Sequence, residues 1–401
     1  LRIRNLQERT YKLVTYYITK IKEFLDNEEK AIDIWYLIIP YEIWLHCRPL
    51  SKTGRATYSK TQVDIYQSGQ MSLFDDYNED IGKYIEMYDS DSDFHDQLKA
   101  RALQERISVP IQVIIEETLQ FKNKTTKEEY PDDMKAHLAW TQSSTLYYKL
   151  GYLPWKLHNI RDGVCYVGLV FKRLQERTGI KKNYACSAAQ MFLDSGDGII
   201  FRGNNGPWLS RDEKTYHLDK TSAYQLLKLA VDSYKNNRGS YPRELFIHGR
   251  TKFTDEEWEG FNLAIAESSD TKLVGVTINN NAGLRLLRTT HGDKCDYGVL
   301  RGLAIIIDAN SGYLWTKGYI PKTETTNHME IARPLYITIS RGEGDINTVM
   351  KDILALTKLN YNACIYADGL PVTLRFSDKI GDILTAIPNI DWPPKPFKYY
   401  I

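Results

Sequence analysis

Several things are scarce in this chain of 401 residues. It has five cysteines (Cys47, Cys165, Cys186, Cys295 and Cys364), odd in number, dispersed and without a CxxC pair. That pattern excludes a disulfide framework and a structural zinc cluster, and it suits a reducing cytoplasm. No apolar run approaches the roughly 20 residues of a membrane-spanning helix. Charge of one sign is also lacking: 52 Lys and Arg against 51 Asp and Glu leave a net charge of +1. A protein that held nucleic acid by its overall field would be far more basic, so any such site must be a focused pocket or channel. The glycine-rich stretch "SGDGIIFRGNNG" follows neither Walker nor Rossmann spacing, and no Ser/His/Asp triad motif is present. Low-complexity segments and internal repeats are missing too. The sequence begins on Leu1 with neither a methionine nor a signal-peptide pattern, consistent with a missing N-terminal stretch.

What is present reads as an ordinary globular protein, 42% hydrophobic, 26% charged and, with 28 Tyr, rich in aromatics. Its length suits two domains better than one core. Leu13, Tyr16, Tyr17, Ile21 and Phe24 recur at helical spacing within residues 1–30. "AIDIWYLIIP" (31–40) and "VPIQVII" (109–115) are apolar runs of the kind a strand covered on both faces shows. A helical segment around "FHDQLKARALQER" lies between them, and residues 75–93 form an acidic loop or linker. This alternation predicts a parallel α/β sheet over roughly residues 30–160. "GYLPWKL" (151–157) marks a plausible boundary. Beyond it "GVCYVGLVFKR" (163–173), "YACSAAQMFLDSGDGIIFRGNNGPW" with its tight "DSGDG" turn, "ELFIHGR" (244–250), "KLVGVTINN" and "LRGLAIIID" read as successive strands. Thr254 and Glu257 have capping-box spacing ahead of "EEWEGFNLAIAE". Asp345 is the expected N-cap of a helix over 344–360 with Ile346, Val349, Ile353 and Leu354 on one face. The aromatic ending "WPPKPFKYYI" is unlike the flexible tail of most domains.

A hairpin trio followed by strand, helix and further strands is the order of an RNase H-like fold. Two-metal phosphodiester cleavage on such a fold needs several carboxylates at strand ends to bridge the cations. The first strand offers Val170, and "ELFIHGR" ends in His248, Gly249 and Arg250. Asp378 in "PVTLRFSDK" alone falls where a final carboxylate is expected, and Asp194 and Asp197 read as turn formers. One carboxylate cannot hold two metals, so nuclease activity is not expected. For phosphate, His95 and Lys99 are four apart on a helix, Gln112 lies on the next strand, and Lys149 ends a helical segment before a glycine. Each alone ordinarily marks a solvated surface. The Trp residues Trp140, Trp155, Trp208, Trp258 and Trp315 are more often core than base-stacking platforms.

The stretches "IPYEIWLHCRPLS", "FHDQLKARAL", "VPIQVIIEETL", "GVCYVGLVFKR", "CSAAQMFLDSGDG", "ELFIHGRTKF" and above all "ILALTKLNYNACIYADGLPVTLRFSDKIGDIL" with the terminal "PFKYYI" resemble the short prokaryotic Argonautes, which keep only MID and PIWI domains. The resemblance covers essentially the whole chain. It implies an α/β chain with a Rossmann-like MID domain over 1–160 and an inactive RNase H-like PIWI domain over 161–401. It further implies that His95, Lys99, Gln112 and Lys149 bind the 5′-phosphate of a guide RNA, where the family uses Tyr or His, Lys, Gln and Lys. The Ile401 carboxylate would then hold Mg2+ against that phosphate. Val170 and Gly249 (or its neighbour His248) stand at lost acidic positions, with Asp378 at the surviving one.

Members of this kind do not cut. They recognise complementary single-stranded DNA of an invading plasmid or phage and activate an APAZ partner, forming a heterodimer and a higher oligomer on activation. The partner's TIR or sirtuin-like domain depletes NAD in a cytoplasmic, abortive-infection defence. The resemblance is closer to members paired with a TIR-APAZ protein. Arg250, Lys252 and Arg375 are the candidate channel residues. The competing readings are a guided nuclease with an unusual metal site and a scaffold that binds no nucleic acid.

Overall fold

The computed structural model describes residues 2–28, 31–54, 62–63, 65, 84–158, 160–173, 185–193, 198–203, 208–209, 215–268, 270–280, 283–286, 298–321, 325–326, 331–363, 365–387 and 395–401. The tight turn expected at Asp194 and Asp197, residues 75–83 of the acidic stretch, Cys295 and Cys364 lie outside them, and the rest of that stretch holds a short helix, Ile85–Asp89, where a loop or linker was expected. Cys47 and Cys165 are free and buried. Two compact units divide between Gly151 and Tyr152. The first also takes Asp382–Trp392 and Lys398–Ile401, and the second is Tyr152–Gly381 with Pro393–Phe397. The second domain expected at 161–401 is therefore not one continuous segment. The reason is visible in the last four residues, where buried lysines of the first unit hold the main chain.

In the first unit α1 (Leu6–Asn27) starts at Asn5, whose side chain accepts from the Glu8 N–H at 2.9 Å. Its inward stripe is Val14, Ile18 and Ile21, whereas Tyr16 and Phe24, expected on the core face, are 58% and 43% exposed. The hydrophobic spacing was real, but the aromatic row lies beside the true contact face. β1 (Trp35–Ile39) is followed by α2 (Tyr41–His46), α3 (Ile85–Asp89) and α4 (Phe94–Gln104). β2 (Ile111–Ile115), α5 (Glu116–Leu119) and α6 (Asp132–Lys149) complete the run. β1 and β2 pair in parallel from Trp35 opposite Ile111 to Ile39 opposite Ile115. Their flanks are only partly covered, Ile38 being 47% exposed, so the strands are not enclosed as their apolar runs suggest. The core joins Val14, Ile18 and Ile21 to Ile39, Ile43, Phe94, Leu98 and Ile111.

The second unit is built on β3 (Val164–Arg173), β4 (Ala185–Leu193) and β5 (Gly198–Arg202), an antiparallel run. The pair β6 (Trp208–Leu209) and β7 (Tyr216–His217) and helix α7 (Lys220–Arg238) follow. β8 (Glu244–Gly249), α8 (Asp255–Ala264) and β9 (Lys272–Asn280) come next, with β3, β8 and β9 mutually parallel. β10 (Ala304–Asp308) and β11 (Ser311–Leu314) form a hairpin, and β12 (Tyr319–Ile320) pairs with β13 (Thr325–Thr326). β14 (Leu335–Arg341), α9 (Ile346–Leu356), α10 (Val372–Arg375), α11 (Ser377–Ala386) and β15 (Lys395–Pro396) close the chain. Nine strands make one mixed sheet in the order β10-β11-β14-β9-β8-β3-β4-β5-β15.

Local sequence signals set several of these elements. The capping box forms: the Thr254 hydroxyl accepts from the Glu257 N–H and Glu257 accepts from the Thr254 N–H. Glu257 is also buried against His217, with a His217 Nδ1–Oε2 distance of 3.1 Å. Asp345 caps α9 as expected. On that helix Leu354 is only half-buried while Asp352 is buried, because Arg161 forks onto both Asp352 oxygens at 3.1 and 2.8 Å. No helix among the described residues is long and apolar enough to cross a membrane.

Candidate nucleic-acid site

The first unit places two of the four phosphate candidates together. Lys99, in the middle of α4, is 3% exposed, and Lys149, the last residue of α6, is fully buried. The bland expectation for an i, i+4 pair, a solvated face, is wrong for Lys99. A buried ammonium must be paired, and here main-chain oxygens do it. Lys99 Nζ donates to Tyr400 O at 3.1 Å and Ile401 O at 2.6 Å. Lys149 Nζ donates to Ile111 O at 3.0 Å, to Lys398 O at 3.3 Å and to Ile401 O. Two positive charges from different helices thus meet one oxygen of the last residue. Tyr400 and Ile401 are themselves buried, and the Tyr399 hydroxyl donates to Ser108 O at 2.6 Å. These contacts fix the aromatic tail.

The other two candidates stand nearby in sequence without the same focus. His95 lies one helical turn before Lys99, is partly exposed, and its Nδ1 is 2.8 Å from Asp96 Oδ1. Gln112 follows Ile111, whose carbonyl takes Lys149, but its amide donates to Val113 O at 3.3 Å. Asp93 caps α4 by accepting from the His95 and Asp96 N–H groups. Burial, with the Asp96 carboxylate beside it, pushes Asp93 up to about 7 against those two bonds. Asp93, His95 and Asp96 have ligand atoms within 4.8 Å of one another, the one such grouping of three found among the described residues. A divalent cation at Ile401 would meet an oxygen already shared by two ammonium groups. The rest of the near-octahedral oxygen shell of Mg2+ would there come from a ligand's oxygens and water.

A further feature of this unit carries no sequence motif of its own. Tyr41 and Trp44 on α2 stack with ring centroids 5.4 Å apart. Arg48 Cζ and Lys124 Nζ lie 3.8 and 3.6 Å from the Trp44 ring centroid, and Lys127 Nζ 5.2 Å from that of Tyr41. This basic, aromatic surface sits just past the carboxyl ends of the parallel β1 and β2, where α/β sheets commonly bind ligands. Tyr41, Trp44 and Arg48 have i, i+3 and i, i+4 spacing, which was a usable signal. Their pairing with residues some eighty positions away was not.

In the second unit the positions expected to have lost acids fall on neighbouring strands. Val170 is on β3, opposite Ala188 of β4. Gly249 ends β8 opposite Thr277. His248 is buried, with Nδ1 2.8 Å from the Thr373 hydroxyl. Asp378 is in the first turn of α11, 72% exposed, with Arg250 Nη2 3.8 Å from its Oδ2. Of the candidate channel residues, Arg250 therefore faces a carboxylate, Arg375 Nε donates to Asp368 at 2.5 Å, and Lys252 is exposed.

Burial holds the His248 imidazole down at about 3, against an ordinary value near 6.5. The unfolded chain protonates this histidine below about 6.5 and the native state does not. Its contribution to stability is therefore present above 6.5 and lost as pH falls toward 3. Asp93 acts in the opposite sense, its contribution being present below its ordinary value near 3.8 and lost as pH rises through about 7. The stability difference between the native chain and His248→Gln should accordingly shrink on acidification from 7 to 4.5. Denaturant midpoints across that range would show it, and a pH-independent difference would contradict a neutral buried imidazole.

No protein-family model matches the chain, and no curated protein does either. Solved structures do. Clostridium butyricum Argonaute, bound to a guide DNA and a 19-mer target DNA, superposes over 94% of this chain and 50% of its own, with a TM-score of 0.61 at 13% identity. Aa-Ago, solved with externally bound siRNA, matches over 100% and 44%, with a TM-score of 0.52 at 16% identity. Aquifex aeolicus Argonaute matches over 99% and 49%, with a TM-score of 0.50 at 15% identity. The fold is an Argonaute-like α/β fold of MID–PIWI architecture. The chain spans about half the length of the structures it matches.

Proposed function

We propose that the chain is a guide-loaded recognition subunit that binds nucleic acid and does not cut it. The observation that carries this reading is the convergence of Lys99 and Lys149 on the Ile401 oxygen. Two ammonium groups converge there on one carboxylate in a buried place. A terminal phosphate brings up to two negative charges and acceptor oxygens suited to both lysines. A phosphate beside the Ile401 carboxylate would bring in Mg2+ to offset the repulsion, with His95 and Gln112 completing the pocket. The aromatic and basic surface at Trp44 is suited to stacking and backbone contact.

In the second unit Val170 and Gly249 stand where cleaving relatives would need acids, and Asp378 faces Arg250 rather than a second carboxylate. On this reading Arg250, Lys252 and Arg375 line the path of a guide–target duplex, and base pairing reads the sequence. The guide is a 5′-phosphorylated RNA and the target single-stranded DNA of an invader. The output is activation of an APAZ partner whose TIR domain, or alternatively sirtuin-like domain, consumes NAD in abortive-infection immunity.

The test uses the purified chain. Co-purifying nucleic acid should accept a 5′ end-label only after phosphatase treatment, and the guide-loaded chain should leave a complementary target intact in Mn2+ or Mg2+. Guide-directed cleavage would overturn the non-catalytic half of the reading. Absence of any bound nucleic acid would overturn the other half.

A further inference from the structure

The strand β10 is out of keeping with the rest of its sheet. All five of its residues, Ala304–Asp308, are exposed, although four are apolar. Ile305, Ile306 and Ile307 are 41%, 43% and 52% exposed, and Leu300 and Leu303 just before them 43% and 38%. Its hairpin partner is covered: Ser311 and Leu314 of β11 are buried, and α9 packs so closely there that a Cβ on Gly312 would lie 2.5 Å from Met350 Cε. β10 is the terminal strand of the nine. Among the described residues its outer row of N–H and C=O groups has no strand beside it, and Ile305, Ile306 and Ile307 are all exposed.

Exposed edges are normally defended by charge, proline or brevity. β10 has a bulge at Ile307 and one charge, Asp308, which is used in the turn, accepting from the Asn310 N–H at 2.8 Å and the Ser311 hydroxyl at 2.9 Å. The run of exposed isoleucines is undefended, which in a natural sequence marks a surface that something covers.

We propose that β10 is a docking edge that accepts an extended segment of a different polypeptide, added as a tenth strand. Only a strand answers both features at once, pairing the free backbone row and placing alternate side chains on the two apolar faces. A second copy of this chain is the poorer occupant on area. Self-pairing through these side chains would bury on the order of 400 Å² per copy, about half of the ~800 Å² that each side of a stable interface contributes. A longer partner reaches that area by continuing past Leu303 and Leu300 to Tyr366, which Arg301 Cζ approaches to 5.5 Å and Lys358 Nζ to 5.2 Å. Tyr366 and Ile365 are 44% and 41% exposed. The Arg301 guanidinium is used within the chain, donating to Leu354 O and Thr357 Oγ1, but no ion pair to Lys358 is found among the described residues, so the segment's complement is an apolar strand with an acidic residue at that end. For the partner's identity this rests on the function proposed above, which calls for an effector subunit. The edge itself does not depend on guide binding.

The experiment co-expresses this chain with the protein encoded by the adjacent reading frame, the candidate effector subunit. In the complex, amide hydrogen exchange at 304–307 should slow at least tenfold relative to the chain alone. Ile305→Lys with Ile307→Lys should weaken the complex at least tenfold, and Lys358→Glu severalfold, while guide binding and the melting temperature stay as in the parent. A complex of undiminished affinity with unprotected β10 amides would overturn the docking edge and leave the function standing. A concentration-dependent dimer of the chain alone, abolished by the lysine variants, would make a second copy the occupant and overturn it too. If the parent chain binds guide yet forms no complex, both the partner part of the function and the edge proposal fall.

Discussion

Lys149→Ala should collapse the preference for a 5′-phosphorylated guide over the same guide with a 5′-hydroxyl, and Lys99→Ala should do the same. Each ammonium is buried and aimed at the Ile401 oxygen, so a phosphate admitted there is held by both. Hydrogen bonds to charged groups are worth about 1.5–3 kcal/mol, so each substitution should cost on the order of 10- to 100-fold in affinity for the phosphorylated guide. The double variant should leave no discrimination. Both substitutions also remove donors from buried main-chain oxygens, Lys149 those to Ile111 O and Lys398 O besides the one it shares with Lys99, and will lower stability. The ratio of the two guide affinities, measured on folded protein, separates recognition from that effect. A ratio unchanged in both variants would remove the phosphate pocket from this location.

Gly168→Ala should be the most damaging single-methyl change in the second unit. A Cβ on Gly168 would lie 1.9 Å from Thr373 O and 2.9 Å from Thr373 Cβ. Neither side can give way cheaply. Gly168 is paired with Gln190 on β4 and His248 on β8, and Thr373 belongs to α10, whose hydroxyl engages His248. Overpacking against backbone of this kind costs on the order of 3 kcal/mol. For a unit of this size that corresponds to a fall of about 6–12 °C in melting temperature. A shift within about 2 °C would mean that α10 is free to move away from the sheet. The same glycine explains how "LPVTLRFSD" and "GVCYVGLVFKR", two hundred residues apart, come to share one packed seam.

Much of this was legible in the residues. The alternating apolar runs gave β1, β2, β3, β8 and β9, and the caps at Thr254 and Asp345 gave the starts of α8 and α9. The apolar tail announced a fixed end. Elsewhere the pattern misled for identifiable reasons. Tyr16 and Phe24 share helical spacing with the core residues of α1 but lie beside the buried stripe, because a helix tolerates aromatics on either flank. Leu354 was expected on the apolar face of α9 but is only half-buried, while Asp352, which that row leaves out, is buried beneath Arg161, far off in sequence. "LRGLAIIID" reads like any interior strand, and no local feature says that it ends the sheet.

By itself the sequence determined which segments become strands and helices, and that the strand of Val170 carries no acid. Those are properties of local chemistry and period. Tertiary structure alone decided that Lys99 and Lys149 meet at Ile401, that Arg250 faces Asp378, and that four apolar residues of β10 lie uncovered. Such facts depend on which distant segments become neighbours. That is set by the packing of whole elements against one another, and no window of sequence contains it.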